Sequence, residues 1–332
     1  MKVMKIPRTV KIIGKSCFEG CSSLTEIKIP SGTTTIESFA FKNCSLLRDI
    51  EISDTVESIG QHSFEGCLSL IKIEIPKNVK SIGSSAFKSC DKLNTIKMDP
   101  YQKNYSLDIF DYAIKDELIL TTTSQNIQFN ALLISMKKIT IPPSIKTIDI
   151  ETFSNHINLE EIIIPESVTS IGSKAFDGCK SLKEVTIPSK CTSIPDLCFN
   201  KCSSLENVTI SKSITSIGSN AFNGCSSLVE IEIPESTTSI GDCAFKGCSS
   251  IKEIVIPLFI NQSLKSIGNT CFEGYLNLQN VIIQSKLKEN GNQTFKNCSS
   301  LIEITLPRSL KNISDKIIEN SKLCFINWRN CF

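Results

Sequence analysis

Phenylalanine recurs in this chain at a fixed interval. Phe18, Phe41, Phe64 and Phe87 are each 23 residues apart, and so are Phe153, Phe176, Phe199, Phe222 and Phe245. A step of 27 leads to Phe272 and a step of 23 to Phe295, so eleven of the 17 Phe belong to one series, and Phe110 falls on the same register. Self-similarity at a period of about 20–50 residues marks a stacked-repeat architecture and has to be settled before any other reading of the fold. Length alone, 332 residues, suggests about two domains of roughly 150 residues. The repeat overrules that.

Other positions keep the period. Cys follows the Phe by three residues at 21, 44, 67, 90, 179, 202, 225, 248 and 298. Leu follows by six, as in Leu24, Leu70, Leu182, Leu205 and Leu228. Two alternating aliphatics come next, as in Ile27/Ile29, Ile73/Ile75 and Ile254/Ile256. Pro closes the run (Pro30, Pro76, Pro188, Pro234) and an Ile-Gly pair opens the next turn (Ile59-Gly60, Ile217-Gly218). The unit is P-x-x-V-x-x-I-G-x-x-A-F-x-x-C-x-x-L-x-x-I-x-I.

The L-x-x-I-x-I run is short, alternating and β-branched, so it predicts a strand. The Pro that ends it cannot donate to a ladder. Phe and Cys three apart after a Gly predict a helical or 3₁₀ turn. One coil cannot bury its apolar side alone, whereas stacked coils build continuous rows of Ile, Phe, Leu and Cys. The expected fold class is α/β: a right-handed solenoid of about 14 coils, each a short strand plus a short helical turn, with a parallel sheet on one face. At about 4.8 Å per coil such a stack extends roughly 65 Å.

The L-x-x-I-x-I-P strand and the S-I-G-x-x-A-F-x-G-C turn resemble the BspA-type, or Treponema-pallidum-type, leucine-rich repeats. Ser170-Ile-Gly-Ser-Lys-Ala-Phe-Asp-Gly-Cys179 fits that consensus throughout. The resemblance covers about 1–98 and 136–315. It implies a leucine-rich-repeat solenoid and, by analogy, a surface antigen or adhesin that presents one face to a partner.

Four segments follow: N-terminal coils at 1–98, an interruption at 99–135, C-terminal coils at 136–315 and a tail or cap at 316–332. Across the interruption the Cys is lost and the step from Phe110 to Phe153 is 43 residues. It reads as an irregular coil or β-hairpin kept in the stack, with a binding role or a hinge as alternatives. The 27-residue step places four extra residues near Leu258–Gln262, in a longer turn.

Sixteen Cys beside two His raise questions of disulfides and metals. Nine Cys hold the position after the Phe, Cys17, Cys198 and Cys271 precede it, and Cys191 takes the Val position. About thirteen are therefore expected as small buried hydrophobes, a row that also has hydrogen bonds to offer turn backbone. In-register neighbours about 4.8 Å apart with parallel Cβ vectors do not suit bridging, which wants Cβ atoms near 3.8 Å. Zinc wants four ligands in close pairs, and no His lies near. Cys243 is expected to be exposed, and Cys324 and Cys331 lie in the tail. His156 stands where Cys stands elsewhere and reads as core; His62 reads as surface. No catalytic triad, carboxylate pair or phosphate loop recurs, so neither a catalytic residue, a cofactor nor a metal site is expected. Seven Asn-x-Ser/Thr sequons, at Asn43, Asn104, Asn207, Asn261, Asn292, Asn297 and Asn312, matter only for a secreted chain.

Function is then expected on the exposed side of the strands. The residue between the two aliphatics reads Lys5, Lys28, Glu51, Glu74 and Lys97, then Thr140, Ile163, Thr186, Thr209, Glu232, Val255, Ile282 and Thr305. The residue before them reads Glu26, Asp49, Lys72 and Thr95, then Lys138, Glu161, Glu184, Asn207, Glu230, Glu253, Asn280 and Glu303. The second half shows an acidic stripe beside a Thr/Ile/Val stripe. The expected partner surface is Glu161, Ile163, Glu184, Thr186, Thr209, Glu230, Glu232, Glu253, Val255, Ile282 and Glu303. The plainer alternative is that β-branched residues suit a sheet and Glu keeps it soluble.

A formal net charge of +2 provides no field for nucleic acid or an anionic membrane. Met-Lys-Val-Met-Lys-Ile-Pro lacks the apolar run of about 7–15 residues of a secretory signal, and no stretch reaches about 20 apolar residues. These features read as cytoplasmic and not membrane-inserted, the resemblance as cell surface. The expected protein is a monomer, with end-to-end pairing through the N-terminal coil as an option. Two functions are open: a noncatalytic binding solenoid of surface-antigen type, or an intracellular scaffold.

Overall fold

Alternating aliphatics on an extended chain share one side, and β-branched side chains fit a pleated surface. In the computed structural model the L-x-x-I-x-I segments are accordingly short parallel strands with their aliphatics turned inward; Leu182, Val185 and Ile187 are all buried. The structure describes residues 2–98, 104–105, 115–120, 126–127, 136–256, 264, 266–283, 289–307, 317–321 and 325–329.

The chain divides into two units, residues 1–124 with 129–142, and residues 125–128 with 143–332. In the first, Lys2–Lys5, Leu24–Lys28 and Asp49–Glu51 form one parallel set. Lys72–Glu74, Thr95–Met98, Lys115–Leu120 and Met136–Thr140 form another. Lys115–Leu120 pairs in parallel with both neighbours, so this part of the interruption runs as a coil strand rather than an antiparallel hairpin. In the second unit, Glu161–Ile163, Glu184–Thr186 and Asn207–Thr209 form one set. Glu253–Ile256, Asn280–Ile283, Glu303–Pro307 and Phe325–Arg329 form the next.

A second row of strands, each only two residues long, comes from the Ser-Ile dipeptides before the Gly. Thr35–Ile36, Ser58–Ile59 and Ser81–Ile82 pair in register in the first unit, as do Ser193–Ile194, Ser216–Ile217 and Ser239–Ile240 in the second. This row breaks between Ser170–Ile171 and Ser193–Ile194. The cause is Pro195. The Gly at the equivalent place donates its N–H to the preceding coil, Gly172 to Ile148 at 2.7 Å and Gly218 to Ile194 at 2.8 Å. Proline has no N–H to donate.

The Phe–Cys segment departs from expectation. No segment of the described residues is helical, so the helical turn and the α/β class give way to an all-β coil. Residues two before the Phe are left-handed in every described turn, among them His62 (φ 53°), Leu197 (φ 59°) and Cys243 (φ 55°). Residues two after it are left-handed too, as at Gly66 (φ 74°) and Asn155 (φ 60°). A left-handed residue at such intervals forbids a helix. The N–H groups instead alternate in their targets. Cys198, Asn200 and Cys202 donate to the carbonyl three residues back, while Leu197, Phe199 and Lys201 donate to Ser219, Ala221 and Asn223 of the next coil at 2.7–2.9 Å. The turns are thus an inter-coil ladder in their own right. Eleven turns carry the ladder Phe among the described residues, fewer than the 14 coils expected. Phe110, the extra residues at Leu258–Gln262, Cys324 and Cys331 lie outside the described residues.

The core is these rows laid face to face. Phe rings of successive coils stack at centroid distances of 5.1 to 5.6 Å, as in Phe176–Phe199 at 5.2 Å and 1°, within the range of offset stacking. Beside them each row cysteine after Cys21 donates its thiol to the Phe carbonyl of the preceding coil: Cys67 to Phe41 at 3.4 Å, Cys202 to Phe176 and Cys225 to Phe199 at 3.2 Å. Cys17 and Cys21, expected as buried, are exposed, because no described coil covers their side of the first turn.

Candidate functional site

The chemically versatile side chains are committed to packing. Burial pushes the thiols of Cys179, Cys248 and Cys298 up to about 12 and that of Cys191 up to about 11, so they stay protonated and are poor nucleophiles. His156 is buried and burial lowers its pKa, while its Nδ1 sits 3.3 Å from the Ser154 carbonyl oxygen. His62, read as surface, is half-buried: it stacks on Phe39 at 5.1 Å and lies 2.9 Å from Glu65. Cys243, expected exposed, is half-buried, with its Sγ 2.9 Å from Thr270 Oγ1. Among the described residues no three His, Cys, Asp or Glu gather as metal ligands, and no helix is long and apolar enough to cross a membrane.

A shallow cleft of about 570 Å³ runs along the Ser-Ile row of the first unit, lined by Thr35, Ser58, Ser81, Gly83, Lys15 and Glu37. Its carboxylate is engaged, since Glu37 Oε2 accepts the Lys15 backbone N–H at 2.7 Å. The cleft offers hydroxyls but no activated nucleophile.

What remains is the outward side of the strands, and the two units differ there. In the first unit some charges pair between coils, while Glu26, Asp49 and Lys72 are exposed with no ion pair to a described residue. Lys28 pairs with Glu51, Lys97 with Glu74 at 2.7 Å, and Lys80 with Glu57 at 2.7 Å. In the second unit Lys183 pairs with Glu160 at 2.8 Å. Glu184, Glu230, Glu232 and Glu253 are exposed and make no ion pair with a described residue.

The residues expected to form a partner surface are placed as follows. Ile163, Glu184, Thr186, Thr209, Glu230, Glu232, Glu253 and Val255 are exposed; Glu161, Ile282 and Glu303 are half-buried. Strand pairing sets Glu161 beside Glu184 and Thr186 beside Thr209. A second group sets Val255 beside Ile282, and Asn280 between Glu253 and Glu303, with Glu303 also accepting from the Asn327 amide. Glu230 and Glu232 are not joined to either group by strand pairing, because residues 229–234 form no strand. The stripe is therefore interrupted.

Sequence reasoning missed two residues of this surface. Val229 is 54% exposed and Ile302 48%. Both follow the repeat Leu directly, where other coils carry Lys183, Glu206, Lys252 or Gln279. An aliphatic at a place where most coils carry a polar residue, as also at Ile71, was the available signal.

Comparison with known proteins places the chain. The sequence matches the BspA type leucine rich repeat region, in 6 copies, over residues 1–115, 122–252 and 215–331. A leucine-rich repeat protein from Bacteroides ovatus is 29% identical over 98% of this chain and 92% of its own, with a TM-score of 0.55. A leucine rich cell surface protein from Faecalibacterium prausnitzii is 25% identical over 98% of this chain and 87% of its own, TM-score 0.36. The T. pallidum leucine rich repeat protein is 23% identical over 62% of this chain and 78% of its own, TM-score 0.28. No curated protein matches. The repeat unit, its stacked parallel strands and the match to the family over most of its length make one conclusion: the chain belongs to the BspA-type leucine-rich repeat family.

Proposed function

We propose that the protein is a noncatalytic interaction solenoid that binds a protein partner across the strand side of its second unit, in the manner of a surface antigen or adhesin. Leucine-rich repeat solenoids generally serve protein–protein interaction. The observation that carries the choice of surface is that Glu184, Glu230, Glu232 and Glu253 are exposed without an ion pair to a described residue, where the first unit sets the Lys28–Glu51 and Lys97–Glu74 pairs on its strands. Unpaired carboxylates beside Thr186, Thr209 and Val255 suit a partner with a basic rim and β-branched or aromatic contacts, the charges setting orientation and on-rate. The protein acts as a monomer in this reading.

The test is triple charge reversal, Glu184→Lys, Glu230→Lys and Glu253→Lys, with labelled protein applied to intact cells or extracellular matrix. Retention falls at least tenfold against wild type, while Glu19→Lys on the first unit retains as wild type does. Equal retention of the triple variant contradicts the reading.

A second reading, an intracellular scaffold, is favoured by the thiols. All described cysteines are free, as a reducing compartment keeps them. Staining unpermeabilised cells with antibody separates the two.

A further inference from the structure

The core rows of the first unit cannot tell one coil from another. Phe18, Phe41, Phe64 and Phe87 are identical, as are Cys21, Cys44, Cys67 and Cys90, and Leu24, Leu47, Leu70 and Leu93. Ile27, Ile50, Ile73 and Ile96 complete the set. A folding chain can therefore seat a coil on its next-but-one neighbour with core contacts of the right kind. Closing a loop of two coils instead of one is disfavoured only about threefold. The register has to be set outside the core.

The residue after the ladder Phe is placed to set it. It reads Glu19, Lys42, Glu65 and Lys88 in the first unit, and Lys246, Glu273, Lys296 and Glu319 in the last coils of the second. Backbone bonds hold these positions together from coil to coil. Gly20 N–H donates to the Lys42 carbonyl and Asn43 to Glu65 at 2.7 Å; Gly247 donates to Glu273 and Asn297 to Glu319 at 2.8 Å. Neighbours thus carry opposite charge, and next-but-one neighbours carry like charge. The opposite charges meet as ion pairs in Lys42–Glu65 at 3.0 Å, Lys246–Glu273 at 2.8 Å and Lys296–Glu319 at 3.1 Å. The Lys42 and Glu65 side chains are 26% and 19% exposed, against 68% and 66% for Lys28 and Glu51 on the strands. Salt and water screen the less exposed pair less.

The residue two before the Phe adds to this. Phe39 stacks on His62 at 5.1 Å, and the Lys42 ammonium lies 5.3 Å from the centre of the Phe39 ring. Skipping either coil breaks that stack, because Ser16 and Ser85 hold the flanking places. The strand rows carry no such information. By charge, Lys28 suits Glu74 as well as Glu51, and Glu26 suits Lys72 better than Asp49.

We propose that the alternating charges after the Phe are a register key, which opposes the stacking of a coil on its next-but-one neighbour while the chain folds. Skipping the Phe41 coil sets Glu19 on Glu65, and skipping the Phe64 coil sets Lys42 on Lys88. Like charges so placed repel and penalise the wrong stack. A skipped coil also forfeits its burial, so the key acts on folding intermediates rather than on final stability. It stands apart from any partner.

Refolding of the full chain from urea tests it, with pulses of iodoacetamide at successive times and each cysteine read by mass spectrometry. Cys44, Cys67 and Cys90 are buried in the native stack. A looped-out coil exposes its own thiol, so Cys44 or Cys67 reacts while Cys90 is already protected. Two variants keep the net charge. Lys42→Glu with Glu65→Lys puts two acids before two bases, and both skipped contacts become attractive. Adding Glu19→Lys and Lys88→Glu restores the alternation with every sign reversed. Both variants lose the Glu65–His62 contact alike. The two-site variant leaves Cys44 or Cys67 reactive in at least about fivefold more molecules than wild type at the same time. The four-site variant refolds as wild type does. If the two-site variant leaves Cys90 reactive throughout, Lys42→Gln with Glu65→Gln is read in its place against the same threshold. Equal protection of Cys44 and Cys67 in wild type and in the variant so read, or a four-site variant as slow as the two-site one, overturns the key.

Discussion

The thiol of Cys202 lies 3.2 Å from the carbonyl oxygen of Phe176, one coil back. The same carbonyl accepts the N–H of Cys179 within its own turn at 3.1 Å. One acceptor thus serves both the closing of a turn and the stacking of the next coil, which explains why Cys recurs where an aliphatic of similar size would fill the same space. At the far end of the second unit Ser321 takes the position, and its hydroxyl donates to Phe295 at 2.8 Å.

Cys202→Ala therefore removes a donor and leaves a small cavity, at a cost of about 1–2 kcal/mol. Cys202→Ser keeps the donor, as Ser321 does, and costs less. Urea denaturation of the two variants reads the difference. A larger loss for Ser than for Ala contradicts a hydrogen-bonding role.

The buried thiols also set an alkaline limit. Burial raises Cys44, Cys179, Cys248 and Cys298 from the ordinary thiol value to about 12. For a group raised in the folded state, its contribution to stability is complete below the unfolded value, near 8.5, and is lost as pH rises toward the folded one. The urea midpoint is therefore flat from pH 6 to 8 and falls steadily from about pH 9. In native protein at pH 8, Cys17, Cys21 and Cys243 react with a thiol reagent among the described cysteines, and the buried row reacts only after unfolding. A flat midpoint through pH 10 removes the burial argument.

Coil spacing at the Ser-Ile row depends on bare backbone. A Cβ placed on Gly60 comes 2.3 Å from the Ser38 nitrogen, whereas one on Gly14 meets nothing nearer than 3.9 Å. Gly60→Ala destabilises by about 3 kcal/mol through forced separation of coils. Gly14→Ala changes stability by less than about 0.5 kcal/mol. Thermal melts of the pair check this; equal effects contradict close coil approach as the reason for the Gly.

Much of this fold is legible in the sequence. The 23-residue step that sets Phe222 on Phe245 is a direct image of the ring stack, and the Val185/Thr186 alternation separates buried from exposed. The turn was misread because Phe199 and Cys202, three apart, fit a helical turn and a chain of tight turns alike. The left-handed residues at Leu197 and His62 carry no sequence mark, since the steric cost falls on side chains of any type. The two-residue strand Ser216–Ile217 is below the length at which periodicity speaks. For the candidate surface, exposure of Glu184 and Thr186 followed from alternation. The absence of a strand at 229–234 did not, because its text nearly repeats that of Ile71–Pro76, which contains the strand Lys72–Glu74.

Site-specific photocrosslinking tests the central claim most directly. A benzoylphenylalanine replaces Thr209 in one protein and Lys28 in another, and each is irradiated on intact cells, with and without the triple reversal of Glu184, Glu230 and Glu253. The account predicts a discrete protein adduct from position 209, its loss in the reversed variant, and none from position 28. Adducts of equal yield from both positions, or an adduct at 209 that survives charge reversal, contradict it.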